Sequence, residues 1–160
     1  MKNRISKSNL IFISILTLTV TACLICSLFF YQLALINGAS MEPTYSGLEL
    51  VIIDKTAREL STGDVVAIKC ASAGGNIIKR IAAVGGDTLL ISDGILYVNG
   101  ESVSRYSIFK YAGTAAEKIT VPDGGYFVIG DNIDESRDSR YEEIGIIYSD
   151  NIIGRIIPQK

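Results

Sequence analysis

Ser40 stands in the stretch Asn37-Gly38-Ala39-Ser40-Met41-Glu42-Pro43-Thr44-Tyr45. Small residues at 38 and 39 leave the approach to its hydroxyl open, and Pro43 restricts both itself and Glu42. A serine in so slim and rigid a segment is either an ordinary loop residue or a nucleophile. A nucleophilic serine needs a proton acceptor. The chain contains no histidine, which removes Ser-His-Asp triads, Cys-His dyads and histidine-based metal sites. The acceptor must then be a lysine or a carboxylate.

Lys79 is the outstanding candidate. In Ile77-Ile78-Lys79-Arg80-Ile81, strand alternation places Ile77, Lys79 and Ile81 on one face. A lysine so placed either snorkels at an edge or is buried. A free lysine has a pKa of about 10.4, so at pH 7 only about one molecule in a few thousand carries a neutral amine. Burial disfavours the ammonium and lowers the pKa, which makes the amine a usable base.

The third candidate stretch, Gly130 to Arg140, packs acids, hydroxyls and two arginines into one loop. Read blandly, it is a solvated turn with local side-chain hydrogen bonds. The spacing of Asp131, Asp134 and Asp138 does not fit a calcium loop. Read functionally, it is a scaffold in which Asp138 and Arg140 pair and a hydroxyl such as Ser136 orients the Lys79 amine.

These residues need elements to position them. Lys2, Arg4 and Lys7 are the only charges before Glu42, and from Ser8 to Met41 there is none. Leu10 to about Phe30 is long enough to cross a bilayer, which takes about 20 apolar residues. The apolar core exceeds that of a cleavable signal peptide. Val20-Thr21-Ala22-Cys23 looks like a lipoprotein box, but an apolar run rather than a polar tether follows it. An uncleaved anchor is expected. The leading basic residues then predict a cytoplasmic N-terminus over residues 1–9 and an extracytoplasmic remainder. The anchor and juxtamembrane segment take residues 10–36, and the exported domain takes 37–160.

Beyond the anchor, 12 basic residues face 17 acidic ones. No basic run with interleaved aromatics appears, so nucleic acid is not an expected partner. One cysteine, Cys70, lies outside the anchor, which leaves no disulfide for the domain. Neither metal nor cofactor is expected. Short β-branched runs at Leu48–Asp54, Val65–Cys70, Ile77–Ile81, Tyr126–Ile129 and Ile152–Ile157 read as strands. Asp93-Gly94 and Asn99-Gly100 mark hairpin turns around Ile95–Val98. Asp134 to Glu143 has room for a helical turn or two. The expected fold is mostly β: an antiparallel β domain with one N-terminal transmembrane helix, and a small accessory subdomain within 88–125.

Taken together and in this order, four motifs resemble the boxes of type I signal peptidase, the membrane-bound serine protease that removes signal peptides. Ser40-Met41-Glu42-Pro43-Thr44 is similar to its nucleophile box, and Gly63-Asp64-Val65-Val66 to its next box. Lys79-Arg80-Ile81 through Gly86-Asp87 is similar to the general-base box, and Gly130-Asp131-Asn132 through Asp138-Ser139-Arg140 to the last. The resemblance implies that Ser40 is the nucleophile and Lys79 the general base. It implies that Ser136 orients the lysine, that Asp138 and Arg140 are structural, and that Met41 borders the substrate. Cleavage would follow small residues at positions −1 and −3 of a preprotein, the expected partner beside the lipid bilayer. Some members add a hydroxyl to the oxyanion hole two residues before the nucleophile. That position is Gly38 here, so this donor is missing. Val84-Gly85 also departs from the usual Leu-Pro. The alternatives are a pilin-processing peptidase of a conjugation system and an anchored β domain that binds without cleaving.

Overall fold

The computed structural model describes residues 6–158. Lys2 and Arg4, on which the orientation of the N-terminus rests, lie outside the described residues.

Helix α1 spans Lys7–Phe30 and buries none of its residues against the rest of the chain. Its 24 residues give a length of about 36 Å at 1.5 Å per residue, more than the roughly 30 Å of a bilayer's hydrocarbon core. Several hydroxyls within it bond back to helix carbonyls. Ser14 donates to the Leu10 carbonyl, Thr21 to Thr17 and Ser27 to Cys23. Such back-bonding lets hydroxyl residues sit in a segment that lipid would surround.

The chain leaves α1 directly as strand β1, Tyr31–Leu35. These residues were expected to belong to the juxtamembrane segment. They are uncharged and mostly apolar, and little in their composition separates them from the helix. Pairing with β2, Leu50–Asp54, makes them a strand, with Leu33 opposite Ile52 and Leu35 opposite Leu50. Lys55 closes the junction: its backbone N–H donates to the Phe30 carbonyl and its Nζ lies 3.3 Å from the Leu28 carbonyl.

The remaining strands are β3 (Val65–Cys70), β4 (Gly75–Val84), β5 (Thr88–Ser92), β6 (Ile95–Val98), β7 (Glu101–Ser102), β8 (Ile119–Thr120), β9 (Gly125–Ile129), β10 (Ile147–Tyr148) and β11 (Ile152–Ile156). They form two antiparallel sheets. The larger has seven strands in the order β1-β2-β11-β3-β4-β9-β10, and the smaller has four in the order β7-β6-β5-β8. The smaller sheet falls between Thr88 and Thr120. Short 3-10 turns at Ala71–Ala73, Gly113–Ala116 and Ser149–Asn151 connect strands. The region 134–143 contains turns and no helix, because its backbone is held by side chains rather than by its own ladder.

Period-two alternation explains how the large sheet is covered. Val65 and Ala67 pack with Met41, Tyr45, Val51, Ile53 and Ile156 on one side. Val66, Ile68 and Cys70 pack with Ile81, Val128 and Ile147 on the other. A third cluster, with Leu89, Leu96, Phe109, Val121 and Phe127, joins the small sheet to the large one. The centre of the sheet, β3 and β4, is therefore buried on both faces. Near the helix the pattern changes. Leu33, Leu35, Leu48, Leu50 and Ile52 are exposed, beside the exposed Leu28, Phe29 and Phe30 of α1.

Candidate active site

Three connections converge on β4. The first is the stretch after β1, which forms consecutive turns over 40–44. Its Glu42 N–H donates to the Ala39 carbonyl, and its Tyr45 N–H donates to the Met41 carbonyl. Met41 is buried in the core beneath these turns, 1 % exposed. It acts as the floor on which Ser40 stands, and its side chain is not open to a substrate. Gly38 has φ +122° with open space around it, a conformation that a residue with a Cβ adopts only under strain.

Ser40 Oγ and Lys79 Nζ lie 2.7 Å apart. The amine comes from the middle of β4, where Lys79 is opposite Val66 of β3, and Lys79 is 3 % exposed. Burial pushes its pKa below that of a free lysine, and the Arg140 charge adds to the depression. Asp138 and Cys70 act the other way without reversing it. The described salt bridges involve other cations. An amine of lowered pKa at hydrogen-bond distance from a hydroxyl is what a base needs to take a serine proton.

The last loop holds this arrangement in place. Asp138 Oδ2 accepts the Gly130 N–H, and Asp138 also takes hydrogen bonds from the Arg140 backbone, Nε and guanidinium. Arg140 continues to the carbonyls of Tyr111, Ile133 and Ser136, and its guanidinium stacks over Phe109. Both side chains are essentially inaccessible. Ser139 ties the loop to β9, accepting the Val128 N–H at its Oγ. Gly130 and Asn132 then meet the Ser40 turn. The Asn132 N–H donates to the Ser40 carbonyl, and a Cβ on Gly130 would overlap both that carbonyl and Ser136. Gly130 is thus a glycine because two backbones touch there.

Ser136 is buried, and its Oγ has no hydrogen-bond partner among the described residues. The hydrogen bond expected between it and Lys79 is not formed in this structure. Its hydroxyl packs beside Gly130, on the side where the Ser40 carbonyl approaches.

Arg80 and Asp131 have a role that sequence reasoning did not assign. Arg80 follows Lys79 on the strand and points to the opposite face. Its Nε lies 2.7 Å from Asp131 Oδ1, its NH2 bonds Oδ2, and its NH1 donates to the Gly63 carbonyl. Thr44 Oγ1 donates to the same carboxylate. One ion pair thus links the Ser40 turn, the turn before β3, strand β4 and the last loop. Burial opposes ionisation of Asp131, but the bonds from Arg80 and Thr44 outweigh it and hold the carboxyl below its ordinary range. The signal available beforehand was Arg80 itself, a second cation on a strand flanked by isoleucines.

The sequence profile of the signal peptidase family, peptidase S26, matches residues 9–158. The chain belongs to that family. It is 32% identical over 164 residues to a signal peptidase I of Bacillus licheniformis, with 93% of this chain and 88% of the relative covered. It is also 32% identical over 156 residues to signal peptidase I U of Bacillus subtilis strain 168, covering 89% and 83%. Among solved structures, a signal peptidase I from Enterococcus faecalis V583 aligns with a TM-score of 0.50 and 25% identity. That alignment covers 64% of this chain and all of that one. The fold is accordingly that of a signal peptidase I: antiparallel β sheets after one apolar helix. The chain is a serine peptidase of this family.

Proposed function

We propose that the chain removes signal peptides from exported preproteins with Ser40 as nucleophile and Lys79 as general base, anchored by α1 in the cell membrane. The observation that carries this reading is the 2.7 Å approach of Ser40 Oγ to the buried Lys79 amine.

Neutral Lys79 accepts the Ser40 proton as Oγ attacks the scissile carbonyl. The resulting lysinium gives that proton to the departing amine as the C–N bond breaks, leaving an acyl-enzyme. Lys79 then activates a water, which hydrolyses the ester and restores Ser40. Asp138 and Arg140 hold Gly130 and the loop against Ser40, and Arg80 with Asp131 joins the same parts from the opposite face. Ser136 supplies a spare hydroxyl to steady the lysine during turnover.

The substrate strand has a place beside the base. From Arg80 onward β4 pairs with β9, whereas the Gly75–Lys79 half pairs with β3 alone among the described strands. An extended peptide added along that free edge forms a further strand. Side chains of such a peptide alternate, so positions −1 and −3 face the enzyme together. Small pockets at both would select small residues, because a larger side chain would clash.

The exposed faces of β1 and β2 support membrane contact. The cross-strand pairs Leu33–Ile52 and Leu35–Leu50 continue the apolar surface of α1, and a contiguous apolar patch of this kind marks an interaction surface. Resting on the bilayer, it sets the catalytic residues near the point where a signal peptide emerges. A shared bilayer also raises the effective concentration of enzyme and preprotein.

The test is to reconstitute the full chain in phospholipid vesicles with a preprotein and sequence the new N-terminus. Cleavage after a small residue is expected, with none from Ser40→Ala or Lys79→Ala chains that retain their β circular dichroism. Normal cleavage by either variant would refute the assignment.

A further inference from the structure

The loop that packs against Ser40 carries one charge that nothing in the fold uses. Between Gly130 and Arg140, Asp131 is paired with Arg80, Asp134 with Lys110, Arg137 with Glu143, and Asp138 with Arg140. Glu135 is exposed, and its carboxylate has no partner among the described residues. A solitary acid on a surface is ordinary; the place of this one is not. The Glu135 N–H donates to the Asn132 carbonyl, and the Asn132 N–H donates to the Ser40 carbonyl. The next residue, Ser136, packs at Gly130 where the Ser40 carbonyl also arrives. The Glu135 backbone is therefore fixed beside Ser40 while its carboxylate stays free.

Strand register decides which part of a substrate meets that carboxylate. Tyr31, Asp54, Arg155, Val66 and Lys79 form one row across the large sheet. Successive antiparallel pairings leave β4 parallel to β1. From the row, β1 runs back into α1, and β4 runs back in the same sense to Gly75. The open Gly75–Lys79 edge thus leads from the end of the sheet where the membrane helix enters up to Lys79. A preprotein whose apolar segment lies in the bilayer reaches the edge from that end. Its chain then runs parallel to β4, with the residues before the scissile bond on the Gly75 side. Past Lys79 the edge is occupied: Arg80 is opposite Ile129, and β9 approaches from the other direction. Substrate and β9 are collinear, so the residues after the scissile bond leave the sheet where β9 ends, at Gly130. The loop they pass over is the one that holds Glu135.

We propose that Glu135 is a specificity-determining residue for the first two positions of the exported protein, +1 and +2, favouring a cationic side chain there and opposing an acidic one. This rests on the signal-peptidase reading of Ser40 and Lys79, and it adds a charge preference after the cut to the size selection before it. The interaction is an exposed ion pair at the rim of an interface. Such a pair acts mainly on association, is worth a few-fold, and weakens as salt screens it. Asp134 contributes less to the field, because the Lys110 amine lies 3.0 Å from it. Glu135 therefore biases cleavage among preproteins rather than excluding any.

The experiment uses the full-length chain in mixed micelles of detergent and phospholipid, where no translocation step precedes cleavage. Its substrates are preproteins identical through position −1 that carry Lys, Gln or Glu at +1 or at +2. The kcat/KM for Lys should exceed that for Glu by about 5-fold at low ionic strength, and the ratio should fall towards one in high salt. Glu135→Gln should abolish the preference, and Glu135→Lys should reverse it. Glu117→Lys makes the same charge change at an exposed position shortly before β8 and should keep it. Cleavage without a charge preference, or with one that neither Glu135 variant alters, would overturn the inference and leave the proposed function standing. A preference shifted equally by Glu117→Lys would trace it to the overall charge of the domain and overturn the inference as well. Failure to cleave any of the substrates would remove the proposed function and the inference with it.

Discussion

Lys79 and Arg80 are neighbours on one strand, both buried, and pointing to opposite faces. Arg80 meets a carboxylate with two parallel hydrogen bonds and a backbone carbonyl besides. Lys79 meets a serine hydroxyl. The difference separates a paired charge from one that burial works to discharge. A paired guanidinium stays ionised and joins the parts around it. An amine without a bonded carboxylate is pushed towards its neutral form, because burial penalises the ammonium. Asp138 and Arg140 repeat the first arrangement on the Lys79 side, so the charges beside the Lys79 amine are already paired.

The comparison breaks most visibly in catalysis. Lys79→Met should lower kcat/KM for a preprotein by about 10²–10⁴-fold, the usual worth of a general base, with the fold intact by circular dichroism. Gly130→Ala should come next. Its methyl displaces the Ser40 backbone, and a misplacement of about 1 Å costs on the order of 100-fold. The expected signature is a fall in kcat exceeding any change in KM.

On the Arg80 face the effect should be on stability. Asp131→Asn leaves a buried guanidinium without its anion, which costs about 3–5 kcal/mol and is measurable by denaturant unfolding in detergent. The sign with pH follows from the depressed carboxyl. The stabilisation by Asp131 is complete above the unfolded-state carboxylate range and is lost as pH falls through its lower folded-state pKa. The variant should therefore approach the parent in strongly acidic buffer.

Lys79 has the opposite linkage. Its folded-state pKa is lowered, so between that value and the ordinary lysine range the unfolded chain binds the extra proton and stability rises with pH. Lys79→Met should consequently be more stable than the parent at neutral pH, with the gain shrinking as pH climbs towards the range of a free lysine. The smallest effect belongs to Ser136→Ala. Removing a buried hydroxyl without a partner should leave stability unchanged or raise it by about 1 kcal/mol, while a modest loss of kcat would report its support of the lysine.

Much of this was legible in the residues. The absence of histidine directs attention to Lys79, and isoleucines at alternate positions give the reason for its burial. β3 and β6 have the bounds that their β-branched runs suggest, and the Gly-containing turns bracket β6 as expected. Tyr31–Leu35 was not legible as a strand, because a short apolar run following a membrane helix carries no periodicity of its own. Its partner, β2, decides its structure. The Arg80–Asp131 pair was hidden for a related reason. Its members are 51 positions apart, and only tertiary packing brings the loops together. Asp134 to Glu143 has helix-compatible residues, but Asp138 and Arg140 take its backbone groups into other hydrogen bonds.

The central claim is that Lys79 is a neutral amine when the enzyme works. Its ionisation is read most directly by a pH titration of the full-length chain in detergent micelles, with isotope-labelled lysine side chains and Lys79→Met to assign the signal. The account predicts that the Lys79 amine loses its proton well below the range of the other lysines, in step with the rise of kcat/KM. A Lys79 signal that titrates with the exposed lysines, while activity is already full at lower pH, would contradict it.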